Sequence, residues 1–216
     1  MKKNTVNRII DTATSLFAVL GFENVTINQL AEAAQVNVAS ISYYFGGKGS
    51  LYQVILKKQF SPALQALRKI ETKFNITEIE RLIGYAELIT EVKHKQPFLN
   101  PLWRYEIIRS TAHSSPVVKD YTFQLYQYIF VSLCQGIANK EFVPDLQPHN
   151  TASLLVEIIH APCIPFSLTT ECAPLVEDTG KNYAVQAFHH YLHGIRCAPL
   201  HATTQITSAA TAEPSQ

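Results

Sequence analysis

The sequence contains no run of eighteen or more apolar residues, so it predicts no membrane-spanning helix. Charged residues make up only 16% of its 216 residues and hydrophobic residues 47%, a composition typical of folded globular proteins rather than disordered chains. Alternating polar and apolar residues, the pattern of half-buried strands, are almost absent. These absences favour an all-α protein that makes no contact with a membrane.

The four cysteines lie far apart and form no CxxC pair, so the sequence indicates neither a disulfide framework nor a zinc motif. The first twenty residues carry charges within an amphipathic pattern, whereas a signal peptide needs a continuous apolar segment. Reduced thiols and a cytoplasmic location are therefore expected.

Common catalytic signatures are also missing. The chain has no GxSxG, no HExxH, no P-loop and no dinucleotide-binding fingerprint. We therefore predict that the protein is not an enzyme and that it needs no cofactor. A helical scaffold that binds another protein stays open as an alternative.

Basic charge is concentrated at the N-terminus. The first 58 residues contain six basic and three acidic residues, and the remaining residues contain twelve basic and fourteen acidic ones. Any contact with a polyanion is therefore expected in the N-terminal segment.

Apolar spacing and capping residues predict about nine helices. Their approximate ranges are 4–20, 27–34, 37–45, 48–74, 78–95, 102–113, 116–140, a helix from 148 that Pro162 and Pro165 interrupt, and 181–196. Pro97 and Pro101 are expected to bracket a turn. The polar, alanine-rich residues 199–216 predict a disordered tail.

The second and third helices have clear start signals. Thr26 and Gln29 form a capping box, and Asn37 can cap the following helix. Two short helices joined by a tight turn predict a helix-turn-helix at 26–45, within a DNA-binding domain of residues 1–50. Residues 51–198 would form a second, larger helical domain.

The segment LFAVLGFENVTINQLAEAAQVNVASISYYFGGKGSL, residues 17–51, resembles the tetracycline-repressor (TetR) family of bacterial regulators. The resemblance rests on Gly-Phe after the first helix, the threonine cap, LAEAA, Val-Asn at the turn, Tyr-Phe and the following lysine. It implies a sequence-specific transcriptional regulator, most often a repressor that a small molecule releases from a palindromic operator. The residues it assigns to DNA contact are Thr26, Asn37, Ala39, Ser40, Ser42, Tyr43, Tyr44 and Lys48.

The sequence departs from this family in two respects. Gln35 occupies a turn position where the family usually has glycine. Val38 and Ala39 leave the recognition helix without Lys or Arg, so that helix has no side chain for bidentate reading of guanine. Phe45 is expected in the core, whereas Tyr44 fits either the core or a contact with DNA.

The resemblance also implies a homodimer formed by the last two helices and a ligand pocket in the larger domain. The predicted dimer residues are Leu154, Leu155, Ile158, Ile159, Ala184, Phe188, Tyr191 and Ile195. The candidate pocket residues are Phe98, Trp103, Tyr105, Tyr121, Tyr126, Tyr128, His160, Cys163 and Phe166. Such a set suits an amphipathic or aromatic small molecule of unknown identity.

His189, His193 and Cys197 follow each other at four-residue intervals, which places them on one helical face. Three soft ligands on one face offer a metal-sensing alternative, although the spacing alone is weak support. Neither Cys163 nor Cys172 has a basic neighbour in the sequence that favours a redox-active thiolate.

Overall fold

The computed structural model describes residues 2–71, 76–108, 115–161 and 183–197, and within them the regular structure is helical. The helices are α1 (Lys2–Leu20), α2 (Ile27–Ala33), α3 (Val38–Phe45), α4 (Lys48–Glu71), α5 (Glu78–Lys95), α6 (Leu99–Ile108), α7 (Pro116–Ala138), α8 (Pro148–His160) and α9 (Tyr183–Gly194). The prediction of an all-α fold is confirmed. None of these helices is both long and apolar enough to cross a membrane.

Side-chain caps fix where several helices begin. Thr26 and Thr77 each accept a hydrogen bond from the backbone of the third helical residue, and the side chains of Gln29 and Glu80 complete both capping boxes. Asn37 likewise caps the N-terminus of α3, because its side-chain oxygen accepts a hydrogen bond from the Ala39 backbone N–H. These caps satisfy N–H groups that have no partner within the helix.

The start of α6 differs from the prediction. The helix begins at Leu99, so Pro101 lies in its first turn instead of closing the turn that precedes it. Proline is tolerated there because the first backbone N–H groups of a helix have no carbonyl partner within the helix. Pro162, Pro165 and the tail at 199–216 lie outside the described residues.

Helices α1 to α3 and the start of α4 pack into an N-terminal head. Helix α1 contacts α2 and α4, and α3 contacts α2 and α4. Their shared core contains the fully buried side chains of Phe17, Val25, Leu30, Ile41 and Leu51. Burial of such apolar groups is the main stabilising contribution in a small helical unit.

Helix α4 connects the head to the larger body. It packs on α5, α6 and α7, and α5, α7, α8 and α9 surround a second part of the core. Helix α4 therefore belongs to both parts of the protein. The domain boundary near residue 50 remains a prediction.

Candidate functional site

The turn between α2 and α3 holds the two helices in a fixed arrangement. Gln35 has a φ of +51°, a left-handed conformation that usually favours glycine. The Val36 backbone N–H donates to the Ala31 carbonyl at 2.9 Å, and Arg8 donates to the Gln35 carbonyl at 3.2 Å. The turn therefore has the left-handed backbone geometry that is typical of glycine, and the two hydrogen bonds keep Gln35 in that geometry.

One face of α3 points to solvent. Ala39, Ser42 and Tyr43 are exposed, and the Tyr43 side chain is 76% accessible. Tyr44 and Phe45 are half-buried and pack against the core, and Tyr44 also contacts the Tyr43 ring edge to face. The expectation that Phe45 contributes to the core is confirmed, and Tyr44 joins the core to the exposed face.

Two of the predicted DNA contacts already serve as helix caps. The Thr26 hydroxyl lies 3.0 Å from Gln29 Oε1 and accepts from the Gln29 backbone N–H at 3.2 Å. Asn37 Oδ1 accepts from Ala39 N–H at 2.8 Å, which leaves its amide N–H₂ pointing away from the cap. Asn37 can therefore cap α3 and donate to a ligand at the same time, whereas Thr26 must release Gln29 before its hydroxyl can donate to a phosphate.

Lys48 has a structural contact that its sequence position does not reveal. Its half-buried Nζ donates to the Phe22 carbonyl at 3.0 Å and to the Val25 carbonyl at 2.9 Å. The same ammonium group lies 4.2 Å from the centre of the Phe22 ring, which is a cation–π contact. An ammonium has three donors. Two of them therefore hold the loop between α1 and α2, and one remains for a phosphate.

Helix α6 contacts the head through Tyr105. The Tyr105 hydroxyl accepts from the Glu23 backbone N–H at 3.1 Å, and its ring covers Gly21. A Cβ atom at Gly21 would lie 2.2 Å from Tyr105 Cε2, and Gly21 also has a φ of +80°. Tyr105 was predicted in the ligand pocket, and the structure instead places it at the junction of α6 with the head.

Glu106, the next residue of α6, links three helices. It is only 2% exposed, and its carboxylate accepts from the Tyr52 hydroxyl of α4 at 2.8 Å. Its other oxygen accepts from the backbone N–H of Ser115, the cap of α7. A buried carboxylate is stable only with such donors, so this contact fixes α6 relative to α4 and α7.

A cleft of about 450 Å³ opens between α6, α7 and α8. Its lining residues are Trp103, Ile107, Val118, Lys119, Thr122, Phe123, Tyr126, Ser153, Val156 and Glu157. Of the nine predicted pocket residues, Trp103 and Tyr126 contribute to it. The prediction did not include the other lining residues. On α7, the spacing of the lining residues places them close together on one side of the helix: Lys119, Thr122, Phe123 and Tyr126.

A buried polar cluster backs this cleft. The His160 ring stacks on Trp103 at 4.2 Å, and its Nδ1 and Nε2 lie 3.0 Å from Asn100 Oδ1 and 3.1 Å from the Tyr121 hydroxyl. Burial, with a smaller contribution from the charge of Lys93, holds the pKa of His160 well below its ordinary 6.5. With Asn100 Oδ1 as acceptor, the neutral ring carries its proton on Nδ1 and accepts from Tyr121 at Nε2.

Other ionisable groups near this cluster are also shifted by burial. Loss of solvation lowers the pKa of Lys93 to about 8, and its Nζ donates to the Ile159 carbonyl at the end of α8. Burial raises the pKa of Tyr121, so this phenol stays protonated at neutral pH. The cluster behind Trp103 is thus neutral apart from Lys93 and is connected by hydrogen bonds.

The remaining predicted pocket residues lie elsewhere. Tyr121 and His160 are buried behind the cleft, so they support its wall without lining it. Tyr128 lines a second cleft, of about 500 Å³, between α4, α5 and α7. Phe98 packs partly buried against the core. Cys163 and Phe166 lie outside the described residues.

Three of the predicted dimer residues are placed inside the protomer. Leu155, Ile159 and Phe188 are at most 1% exposed, because α8 and α9 turn these side chains toward the core shared with α5 and α7. These three side chains are thus covered within one protomer, and the predicted seam is left with the more exposed residues. Leu154 is 43% exposed, and the other four are half-buried: Ile158, Ala184, Tyr191 and Ile195.

The metal-sensing alternative gains no geometric support. Across the described ranges, no three His, Cys, Asp or Glu residues are grouped so that they could hold a metal ion. The rings of His189 and His193 stack with their centres 6.1 Å apart, and the Cys197 backbone N–H donates to the Glu141 carbonyl. The two histidines therefore contact each other through their rings, and the backbone of Cys197 joins the end of α9 to Glu141.

Residues 9–55, which cover most of α1 through the start of α4, match the family model described as bacterial regulatory proteins, tetR family. The chain is also similar to the probable HTH-type transcriptional regulator YttP of Bacillus subtilis (strain 168). The two are 26% identical over 151 residues, which is 69% of this chain and 72% of the relative.

Solved structures share the fold over nearly the whole chain. The hemolysin II transcriptional regulator HlyIIR is 24% identical with a TM-score of 0.64, over 87% of this chain and 98% of that one. The probable transcriptional regulatory protein RHA5900 is 17% identical with a TM-score of 0.70, over 88% and 97%. The N-terminal segment at residues 9–55 thus matches the tetR family of bacterial regulatory proteins, and the chain shares the fold of these solved regulators.

Proposed function

We propose that the protein is a homodimeric repressor in the cytoplasm that binds a palindromic operator and leaves it when a small molecule binds the body. The observation that carries the proposal is the outward face of α3. Ala39, Ser42 and Tyr43 are exposed on a helix whose opposite side, through Ile41, is fixed in the core. Nothing in the packing of the head requires an exposed tyrosine at that position.

The chemistry of this face suits the major groove. Ala39 and Ser42 are small, so the helix can approach the base edges, where a methyl group contacts thymine and a hydroxyl bonds donors or acceptors. Tyr43 and the free amide of Asn37 suit phosphate contacts that set the register. Without Lys or Arg on α3, affinity depends on basic groups elsewhere in the head, including Lys2 and Lys3 of the N-terminal segment.

A dimer would place two copies of α3 on successive turns of DNA, which is why a palindromic operator follows. The exposed Leu154 and the half-buried Ile158 of α8 offer an apolar surface beside Tyr191 of α9. These more exposed members of the predicted seam keep the role predicted for them.

Helix α6 supplies a direct connection between ligand and head. Trp103 and Ile107 line the cleft, while the adjacent Tyr105 and Glu106 bond the head and α4. A ligand that shifts α6 must therefore also shift Gly21, Glu23 or Tyr52. If it binds best where the two heads are mis-spaced, it lowers operator affinity by population shift.

The test is a fluorescence-anisotropy titration with DNA from upstream of the protein's own gene and with a scrambled duplex, each at two salt concentrations. We expect tighter binding to the first DNA, at two protomers per site. Equal salt-sensitive binding to both duplexes would support DNA binding and place the operator elsewhere in the genome. Absence of binding to either, also after unfolding and refolding to strip any ligand, would overturn the proposal.

A matched pair of variants tests the α3 face. Tyr43→Ala removes an aromatic side chain that is 76% exposed on α3, and Val19→Ala shortens an apolar side chain that is 78% exposed on α1. We expect Tyr43→Ala to weaken operator binding about tenfold, or about 1.4 kcal/mol, while Val19→Ala leaves it unchanged. Equal effects on both would show that α3 is not the contact surface.

A further inference from the structure

The cleft between α6, α7 and α8 has mainly apolar walls. Trp103 and Ile107 of α6, Val118 and Phe123 of α7, and Val156 of α8 supply most of the lining. Ile107 and Phe123 are 42% and 61% exposed, and both line this cleft, so they form part of one continuous apolar surface and are not isolated exposed residues. Removing this surface from water would be the main driving force for an occupant.

The charges of the cleft balance. Lys119 of α7 and Glu157 of α8 are its charged lining residues, one of each sign. Neither an anion nor a cation therefore gains a net Coulomb attraction, while either loses hydration on entering an apolar space. The neighbouring cleft between α4, α5 and α7 differs, because Arg68 and Arg81 line it without an acidic residue.

Besides the charged Lys119, the lining residue Thr122 offers a hydroxyl group to the cleft. Thr122 Oγ1 accepts from the indole Nε1–H of Trp103 at 3.0 Å. Since the oxygen already accepts, its own proton is the group available to a ligand, and that proton bonds no acceptor among the described residues. A carbonyl or ether oxygen is its natural partner.

The wall is held in place before any ligand arrives. Trp103 is fixed on one side by Thr122 and on the other by the stacked ring of His160, which Asn100 and Tyr121 hold in turn. A rigid aromatic wall loses little conformational entropy when a ligand packs against it. It also favours ligands that match its shape.

We infer that this cleft binds an uncharged, mainly apolar small molecule that carries one hydrogen-bond acceptor, directed at Thr122. The inference rests on the proposed function, because it names the class of effector that would act through α6. The cleft volume of about 450 Å³ lies in the range of small-molecule sites.

The test uses 2-decalone, a neutral bicyclic ketone, and its matched anion decahydro-2-naphthoate. Isothermal titration calorimetry gives both affinities. Trp103 is the only tryptophan in the sequence, so a change in its emission during the titration locates the ligand at this wall. We expect saturable binding of 2-decalone with a change in Trp103 emission, and at least tenfold weaker binding of the anion.

Two pairs of variants locate the site. Ser153→Phe fills this cleft from an exposed position on α8, whereas Gln127→Phe places the same ring in the neighbouring cleft. We expect Ser153→Phe to abolish 2-decalone binding and Gln127→Phe to leave it intact. Thr122→Val should weaken binding about fivefold, and Thr122→Ser, which keeps the hydroxyl, should restore most of it.

The inference would be overturned if the anion bound as tightly as 2-decalone or more tightly. It would also be overturned if Gln127→Phe, and not Ser153→Phe, abolished the binding of 2-decalone. Failure of 2-decalone to bind at all would overturn it too. The anisotropy titration without ligand separates these results from the proposed function. If the chain binds DNA but not 2-decalone, the proposed function stands and the inference about the cleft fails. If the chain binds 2-decalone but not DNA, only the proposed function fails.

Discussion

Lys48 joins the start of α4 to the loop between α1 and α2. Its ammonium donates to two carbonyls of that loop and lies over the Phe22 ring. We expect Lys48→Met, which keeps the length of the side chain, to lower the free energy of unfolding by about 1–2 kcal/mol, because both carbonyls lose a charged donor. Urea denaturation measures this change.

The same variant tests whether Lys48 also contacts DNA. If its third N–H holds a phosphate, the slope of log affinity against log salt becomes shallower by about one ion. Lys58→Met serves as a control, because Lys58 lies on the same helix and pairs only with the exposed Asp11. An unchanged slope with reduced stability would leave Lys48 a purely structural role.

His160 makes stability depend on pH. The folded ring is neutral because burial lowers its pKa, whereas an unfolded histidine takes up a proton near its ordinary value of 6.5. Below about pH 6.5 the unfolded state therefore binds more protons, and the free energy of unfolding falls as the pH falls. The slope contributed by this residue approaches about 1.4 kcal/mol per pH unit.

Denaturation at pH 7.5, 6.5 and 5.5 measures this slope. His160→Gln should lower stability at every pH, because it loses the stack on Trp103, but its slope between pH 6.5 and 5.5 should be shallower than that of the parent chain. His190→Gln changes an exposed histidine of α9 and should keep the parent slope. Parallel slopes in all three proteins would show that His160 is protonated in the folded state as well.

Individual residue roles were only partly predictable. The sequence marks Gln35 as unusual for the family, and the left-handed φ explains why glycine is common at such a turn. For Lys48, the resemblance to the tetR family predicts a contact with DNA. The two carbonyls that Lys48 binds are over twenty residues away in the chain, and nothing near Lys48 in the sequence indicates them. Contacts of that separation depend on how helices pack, which local patterns do not encode.

At the scale of the element, α6 contacts both the cleft and the head. Gly21→Ala tests its contact with α1, because the new Cβ would lie 2.2 Å from the Tyr105 ring. Gly46 has nearly the same φ, +78° against +80°, but a Cβ atom there would lie 3.8 Å from its nearest neighbour, Ser50 Oγ. Gly46→Ala therefore measures the backbone strain alone, of about 1 kcal/mol.

We expect Gly21→Ala to cost at least about 1 kcal/mol more than Gly46→Ala in urea denaturation. The excess should disappear in a Tyr105→Leu background, since the smaller side chain leaves room for the methyl group. A coupling energy near zero would mean that α6 can move away from the head freely. Such a result would also weaken the proposed route from the cleft to the DNA.

Capping residues made the starts of α2, α3, α5 and α7 predictable, and Pro148 at the first helical position did so for α8, because these signals are local to their helices. Which face of α8 is inward was not predictable. Leu154 and Leu155 are adjacent and chemically identical, yet one is exposed and the other is fully buried. An apolar helix with two hydrophobic faces satisfies more than one packing arrangement, and only the neighbouring helices decide between them.

At the scale of the molecule, the body must fix the distance between two heads if the chain acts on a palindrome. Helices α5, α7, α8 and α9 already bury their inner faces within one protomer, so a dimer must use the outer faces that remain. Leu154 of α8 is a large exposed side chain on such a face, and Val131 of α7 is its counterpart elsewhere on the body.

These two residues allow a matched test, because Leu154 is 43% exposed and Val131 is 45% exposed. Leu154→Lys places a charge in the proposed seam, so we expect monomers in analytical ultracentrifugation and at least a hundredfold loss of operator affinity. Val131→Lys should leave both the mass and the affinity unchanged. If Val131→Lys yields monomers instead, the seam lies on α7; if Leu154→Lys remains a dimer with full affinity, α8 does not set the distance between the heads.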